Sequence, residues 1–186
     1  NATIHVGNGQ VISNGTVVFK NGKISEVGAT ASTAGAKVID CKGKHIYPGL
    51  ILTASQLGLI EVNSVRATID GSEIGDMNPS VRSIVAYNTD SKVINTLRTN
   101  GILLANVIPD GGIISGSSSV VQLDAWNWED AAYKMDVGIH FRMPSLLNRG
   151  GVSIAGFGGL APVSNVNPAK RGQEQIDSVK TFFKEA

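Results

Sequence analysis

Two short runs of strand-forming residues, 16–20 (TVVFK) and 23–27 (KISEV), are separated only by Asn21-Gly22. A two-residue connection of this kind needs positive φ at both positions, which Asn and Gly tolerate best. The pair therefore predicts a tight antiparallel hairpin. Asn8-Gly9 and Asn14-Gly15 punctuate the preceding residues in the same way. A second hairpin is expected from 38–40 and 45–47 around Cys41-Lys42-Gly43-Lys44. Residues 1–47 thus read as a small antiparallel β unit. The 22 glycines in 186 residues, about 12% against a usual value of about 7%, point the same way, toward many turns.

Pro48-Gly49 ends that pattern. Leu50-Ile51-Leu52 is a continuous apolar run, as expected of a strand buried on both faces. Residues 60–80 are polar and irregular and predict a long loop. Asp90-Ser91 suits a helix start, Val93, Ile94 and Leu97 share a face, and Gly101 suits the stop. Residues 102–108 (ILLANVI) form the next expected strand. Strand, helix, strand in this order predicts a parallel βαβ crossover. Further strands are expected at 113–114, 119–123 and 137–141, with a turn at 109–112 and a loop through the Ser/Gly patch 115–119. A short helix is expected at 129–134. Residues 148–168 read as a Gly-rich loop. Ile176, Val179, Phe182 and Phe183 then mark an amphipathic helix starting near Pro168.

Charge and composition narrow the function classes. Sixteen basic and 15 acidic residues give a net charge of +1, without a basic run. Nucleic acid is therefore not an expected partner. No apolar run reaches the roughly 18 residues of a membrane helix. The single cysteine, Cys41, excludes an internal disulfide and a cysteine-based zinc cluster. The three histidines, His5, His45 and His140, do not share the i, i+2 or i, i+4 spacing of a metal pair. Ser117 lacks a nucleophile-elbow context. The string DAWNWED, 124–130, is open to two readings. Asp124, Trp126 and Trp128 either line a ligand cleft, or pack and cap the helix that follows. Arg66 is either an anion clamp on the long loop or a loop ion-pair member.

The strings NGKISEVGA and VIDCKGKHIYPGLI resemble the opening of the amidohydrolase superfamily, in its imidazolonepropionase-like and prolidase-like branch. The resemblance covers residues 3–51. It extends more loosely through GLIEVNSVRAT, AYNTDSKVI, GSSSVVQLDAWNWEDAAY and GIHF, in the manner of a secreted bacterial subgroup. The family continues as PGLID-x-H-x-H, whose two histidines lie on one side of a strand and bind zinc or another divalent metal. The metal-bound water then attacks an amide or lactam carbonyl. Here the aspartate position is Leu52 and the histidine positions are Ala54 and Gln56. Alanine has no donor atom, and a glutamine amide is a poor ligand for such a metal.

The resemblance implies an α/β fold. An N-terminal β-sandwich portion of the composite domain is expected over 1–47, and the first part of a (β/α)8 TIM-type barrel, incomplete in this chain, over 48–147. A Gly-rich loop and amphipathic helix are expected over 148–186. It further implies a periplasmic or secreted bacterial protein. The expected function is that of an amidohydrolase-family protein, whose parent activity hydrolyses non-peptide C–N bonds such as those of cyclic amides. In this chain we expect truncation, no metal site, no metal cofactor and no activity alone. The alternative is a non-catalytic ligand-binding or scaffold pseudoenzyme, partnering an active homologue. Expected ligand contacts are Gln56, Arg66, Asp124, Trp126 and Trp128; catalytic residues are not assigned. Open sheet edges and an uncovered helix face predict self-association.

Overall fold

A computed structural model describes residues 1–146 and 167–185. Its strands form two four-stranded sheets.

The first sheet holds β1 (Ala2–His5), β2 (Val11–Lys20), β3 (Lys23–Gly28) and β4 (His45–Ile46), in the order β3-β2-β1-β4. The Asn21-Gly22 hairpin forms as expected, with φ of 53° and 71° and β2 antiparallel to β3. The second expected hairpin does not form. Gly43 turns the chain at φ 75°, and the Lys44 amide donates to the Cys41 carbonyl at 2.9 Å. Residues 38–40, however, are not a strand. Asp40 is used in the turn, where its Oδ1 accepts from the Lys42 amide at 2.9 Å. The free edge of β1, with Ala2 and Ile4 buried, takes β4 instead, in parallel (Thr3↔His45, Ile4↔Ile46).

The second sheet holds β5 (Leu50–Ser55), β6 (Ile102–Val107), β7 (Ile114–Gln122) and β8 (Ala132–Phe141), in that order. β5 and β6 are parallel and joined through α1 (Lys92–Thr99), as the βαβ reading expects. Gly101, at φ 84°, follows the helix. Ser91 is the N-cap residue, but its hydroxyl donates to Glu61 Oε2 at 2.8 Å instead of capping the helix. Leu50 and Ile51 are 59% and 58% exposed. These neighbours point to opposite faces, so the start of β5 is covered on neither face, and β5 is an edge strand of the sheet.

β7 and β8 then return antiparallel, without an intervening crossover helix of the α1 kind. The Ser/Gly patch lies inside β7 rather than in a loop. Its hydroxyls find local partners that let a polar strand be buried: Ser115 donates to the Gly111 carbonyl at 2.6 Å and Ser117 to Asp136 Oδ1 at 2.9 Å. The short helix is α2 (Trp128–Ala131), capped by Asn127, whose side chain accepts from the Asp130 amide at 2.8 Å. The C-terminal helix is α3 (Pro168–Glu185), with Ile176, Val179 and Phe182 half-buried and Phe183 exposed. Most of the expected 148–168 loop lies outside the described residues.

One face of the second sheet carries the core. Ile84, Ala105, Val107, Val121 and Ala131 are fully buried, with Leu59, Leu123 and Ile94 nearly so. The segment between β5 and α1 covers this face, and Ser83 Oγ ties it down by donating to the Val107 carbonyl at 2.8 Å. Tyr133, Met135, Val137, Ile139 and Phe141 of β8 are exposed. No helix among the described residues is long and apolar enough to cross a membrane.

Candidate functional site

The strand directions bring four chain ends to one side of the second sheet. β5 and β6 end there, antiparallel β7 begins there, and β8 ends there. Between them lies a cleft of ≈ 470 Å³, lined by Ala54 and Ser55 at the end of β5, Gln56 just after it, residues 108–110 after β6, Ser115, and His140, Phe141 and Arg142 at the end of β8. This volume falls in the range of small-molecule sites.

Asp110 organises the cleft. Its backbone amide donates to the Gly71 carbonyl at 2.7 Å, which fixes the turn after β6. The Gly111 amide donates to Asp110 Oδ1 at 2.8 Å, and Arg142 forms an ion pair with the same carboxylate. The Gly111 amide holds the carboxyl below the usual range; Arg142 and the Gln56 amide add to this, and partial burial opposes it. Ser115 Oγ grips the Gly111 carbonyl from the other side. The Arg142 amide donates to the Ile113 carbonyl at 2.8 Å, so the backbone beneath its guanidinium is fixed. The cleft therefore offers a cation, an anion, an amide, an imidazole and a hydroxyl along one rim. In an Arg142→Ala variant the Asp110 carboxyl should titrate at higher pH than in the parent. It should stay below the ordinary range, because the Gly111 bond remains. Carbon NMR of the carboxyl resonance checks both points.

Ala54 and Gln56, at the histidine positions of the resemblance, both line this cleft. A divalent metal does not fit the side chains that are there. Ala54 has no donor, the Gln56 amide is a poor ligand for such a metal, and Asp110 is engaged with Gly111 and Arg142. Among the described residues no group of three or more His, Cys, Asp or Glu side chains could hold a metal ion.

In its fold the chain is similar to an amidohydrolase. That protein, from Thermotoga maritima MSB8, matches with a TM-score of 0.67 and 21% identity, over 91% of this chain and 44% of its own. This chain thus spans less than half the length of that amidohydrolase. No protein-family model and no curated protein matches.

Of the residues expected to contact ligand, only Gln56 lines the cleft. Arg66 opens a single 3-10 turn (Arg66–Thr68), and its Nη1 donates to the Ile69 carbonyl at 2.9 Å. Asp124 pairs with Arg98 at 2.8 Å. Trp126 is 89% exposed, whereas Trp128 packs against the core from the start of α2. Asp130 Oδ2 accepts from the Trp126 amide at 3.0 Å, so this acid ties the turn to the helix start. Asp110, His140 and Arg142 were not singled out as cleft residues from sequence. Asp110 had one usable signal: it lies in the turn just past the C-terminal end of an expected strand, where α/β folds place functional groups.

Proposed function

We propose that this chain belongs to an amidohydrolase-superfamily protein, in which β5 and β6 open a (β/α)8-type barrel and residues 1–47 contribute to the accompanying β-sandwich. The parent chemistry in this reading is hydrolysis of non-peptide C–N bonds, such as those of cyclic amides. This chain by itself does not perform it. One observation carries the reading. The cleft sits at the ends of β5 and β6, where such a fold works, yet the two positions that would grip a metal are Ala54, which has no donor atom, and Gln56, whose amide is a poor ligand. Without a bound cation, nothing identified in the cleft would turn water into hydroxide near neutral pH.

The test is turnover of five- and six-membered cyclic amides and of dipeptides by the purified chain with excess zinc or manganese. The expected result is a rate equal to that of metal and buffer alone. Metal-dependent turnover that disappears in Gln56→Ala or Asp110→Asn would overturn the proposal.

A second reading, a ligand-binding role for the cleft, is favoured by the Arg142 guanidinium, whose side chain is 65% exposed although it is paired with Asp110. Part of its donor fork remains open to a small carboxylate. Saturation-transfer NMR with small carboxylic acids and amides tests this reading. Signals expected with the parent chain should vanish in Arg142→Ala; their absence from the parent, or survival in the variant, sinks it.

A further inference from the structure

We infer that the cleft is a site for small zwitterions of the α-amino-acid type, in which Arg142 takes the carboxylate and Asp110 selects for the ammonium. This rests on the ligand-binding reading of the cleft given above and names its ligand. Apart from His140, Arg142 and Asp110 are the only ionisable side chains among the described residues that line the cleft. They pair through one carboxylate oxygen. Asp110 Oδ1 takes both the bond from the Gly111 amide and the contact with Arg142 Nη2; Oδ2 takes neither. Arg142 Nε and Nη1 make no hydrogen bond among the described residues. The Arg142 and Asp110 side chains stay 65% and 45% exposed, so each keeps an open charged group within a cleft of small-molecule size. Ser115 Oγ donates to the Gly111 carbonyl, which leaves its lone pairs as a further acceptor.

The balance of charge decides which ligand the cleft prefers. Arg142 and Asp110 are of opposite sign and in direct contact, so together they present no net charge. A plain carboxylate drawn to Arg142 also meets the Asp110 carboxylate, and attraction is offset by repulsion. A plain ammonium drawn to Asp110 meets the reverse conflict. A molecule with both charges escapes it. Its carboxylate takes the unused N–H groups of Arg142, while its ammonium donates to Asp110 Oδ2. Because the two protein charges touch, the two ligand charges must also be close. An α-amino acid carries them on one carbon. A long ω-amino acid brings them together only by folding back, at a cost in chain entropy. The backbone beneath both protein groups is fixed, by the Asp110 amide on the Gly71 carbonyl at 2.7 Å and the Arg142 amide on the Ile113 carbonyl at 2.8 Å. The pair is therefore held ready before the ligand arrives.

The experiment measures the affinity of the purified chain for alanine, propionate, ethylamine and 6-aminohexanoate by saturation-transfer NMR titration. Alanine is expected to bind more tightly than each of the other three by about fivefold, the worth of one partly exposed charge pair. Asp110→Asn keeps an acceptor for the Gly111 amide and removes the negative charge. It should weaken alanine and strengthen propionate, whereas a merely structural role for Asp110 would weaken both. An unchanged unfolding midpoint confirms that the variant is folded; if it is not, the order of the four ligands on the parent decides alone. Any of the other three binding the parent as tightly as alanine, or Asp110→Asn leaving alanine unchanged or weakening both ligands, overturns the inference and leaves the ligand-binding reading standing. Failure of all four to bind the parent, or alanine binding that is unchanged in Arg142→Ala, overturns both.

Discussion

Gly116→Ala is expected to lower the unfolding free energy by about 3 kcal/mol or more, combining a disfavoured backbone conformation with overpacking at about 1–3 kcal/mol each. Gly116 lies in β7 with φ of 116°, outside the regions that a residue with a Cβ adopts readily. A Cβ built there would stand 2.5 Å from the Val81 carbonyl oxygen and 2.8 Å from Val81 Cβ. Both obstacles belong to a segment that cannot retreat easily. The Val81 carbonyl accepts from the Ser117 amide at 2.8 Å, and the next residue, Arg82, grips Asp136 through two bonds of 2.9 and 2.7 Å. Moving Val81 away from a new methyl group would stretch these contacts together. At roughly 2–4 °C per kcal/mol for a chain of this size, the melting midpoint should fall by about 6–12 °C. Gly43→Ala separates the two causes. Its φ of 75° carries the conformational cost, but nothing lies within 4 Å of the added carbon. It should cost only about 1 kcal/mol. Equal losses in the two variants, measured by urea unfolding, would remove the steric part of the argument.

The same region shows which parts of the architecture are legible from residue types alone. The Asn21-Gly22 turn and the β5–α1–β6 unit follow from local chemistry: two residues that accept positive φ, and an apolar helix face that ends at Gly101. The second hairpin and the burial of β5 depend on which strand lies alongside, and that is decided by long-range pairing. Val38 and Ile39 have strand-forming side chains, yet they are 65% and 75% exposed because no ladder reaches them. The serines of 115–119 look like a loop by composition. They form a buried strand because Asp136, Gly111 and Gly138 supply acceptors from elsewhere in the chain. The cleft behaves similarly. Gln56 is visible from the resemblance, whereas Asp110 and Arg142, 32 residues apart, meet only because β7 and β8 run back to the same end of the sheet. His5 and His45 meet for the same reason: they are neighbours across a ladder, not along a strand.

Above pH 10 the protein should lose stability through one buried phenol. Tyr87 is 5% exposed within the core, and its hydroxyl has no hydrogen-bond partner among the described residues. Burial, aided by the nearby Glu61 carboxylate, pushes its pKa from 10.0 up to about 12. In the unfolded chain the phenol ionises near its ordinary value, so there the unfolded state sheds its proton first. Ionisation between pH 10 and 12 therefore favours unfolding. The contribution of Tyr87 is complete below pH 10, declines across this interval and is gone above it. A shift of about two pKa units corresponds to about 2.7 kcal/mol. Tyr87→Phe keeps the ring in the core and removes the titrating group together with its unpaired hydroxyl. At pH 7 this variant should match or exceed the parent by about 1 kcal/mol, since an unsatisfied buried hydroxyl carries a desolvation cost. Every other side chain is common to the two proteins, so the difference between the two stability curves isolates Tyr87. Urea unfolding from pH 8 to 12 should show the curves diverging above pH 10, with the variant the more stable. Parallel curves across that range would mean that the phenol ionises as easily in the folded protein as in the unfolded chain, and that water or movement of Glu61 relieves its burial.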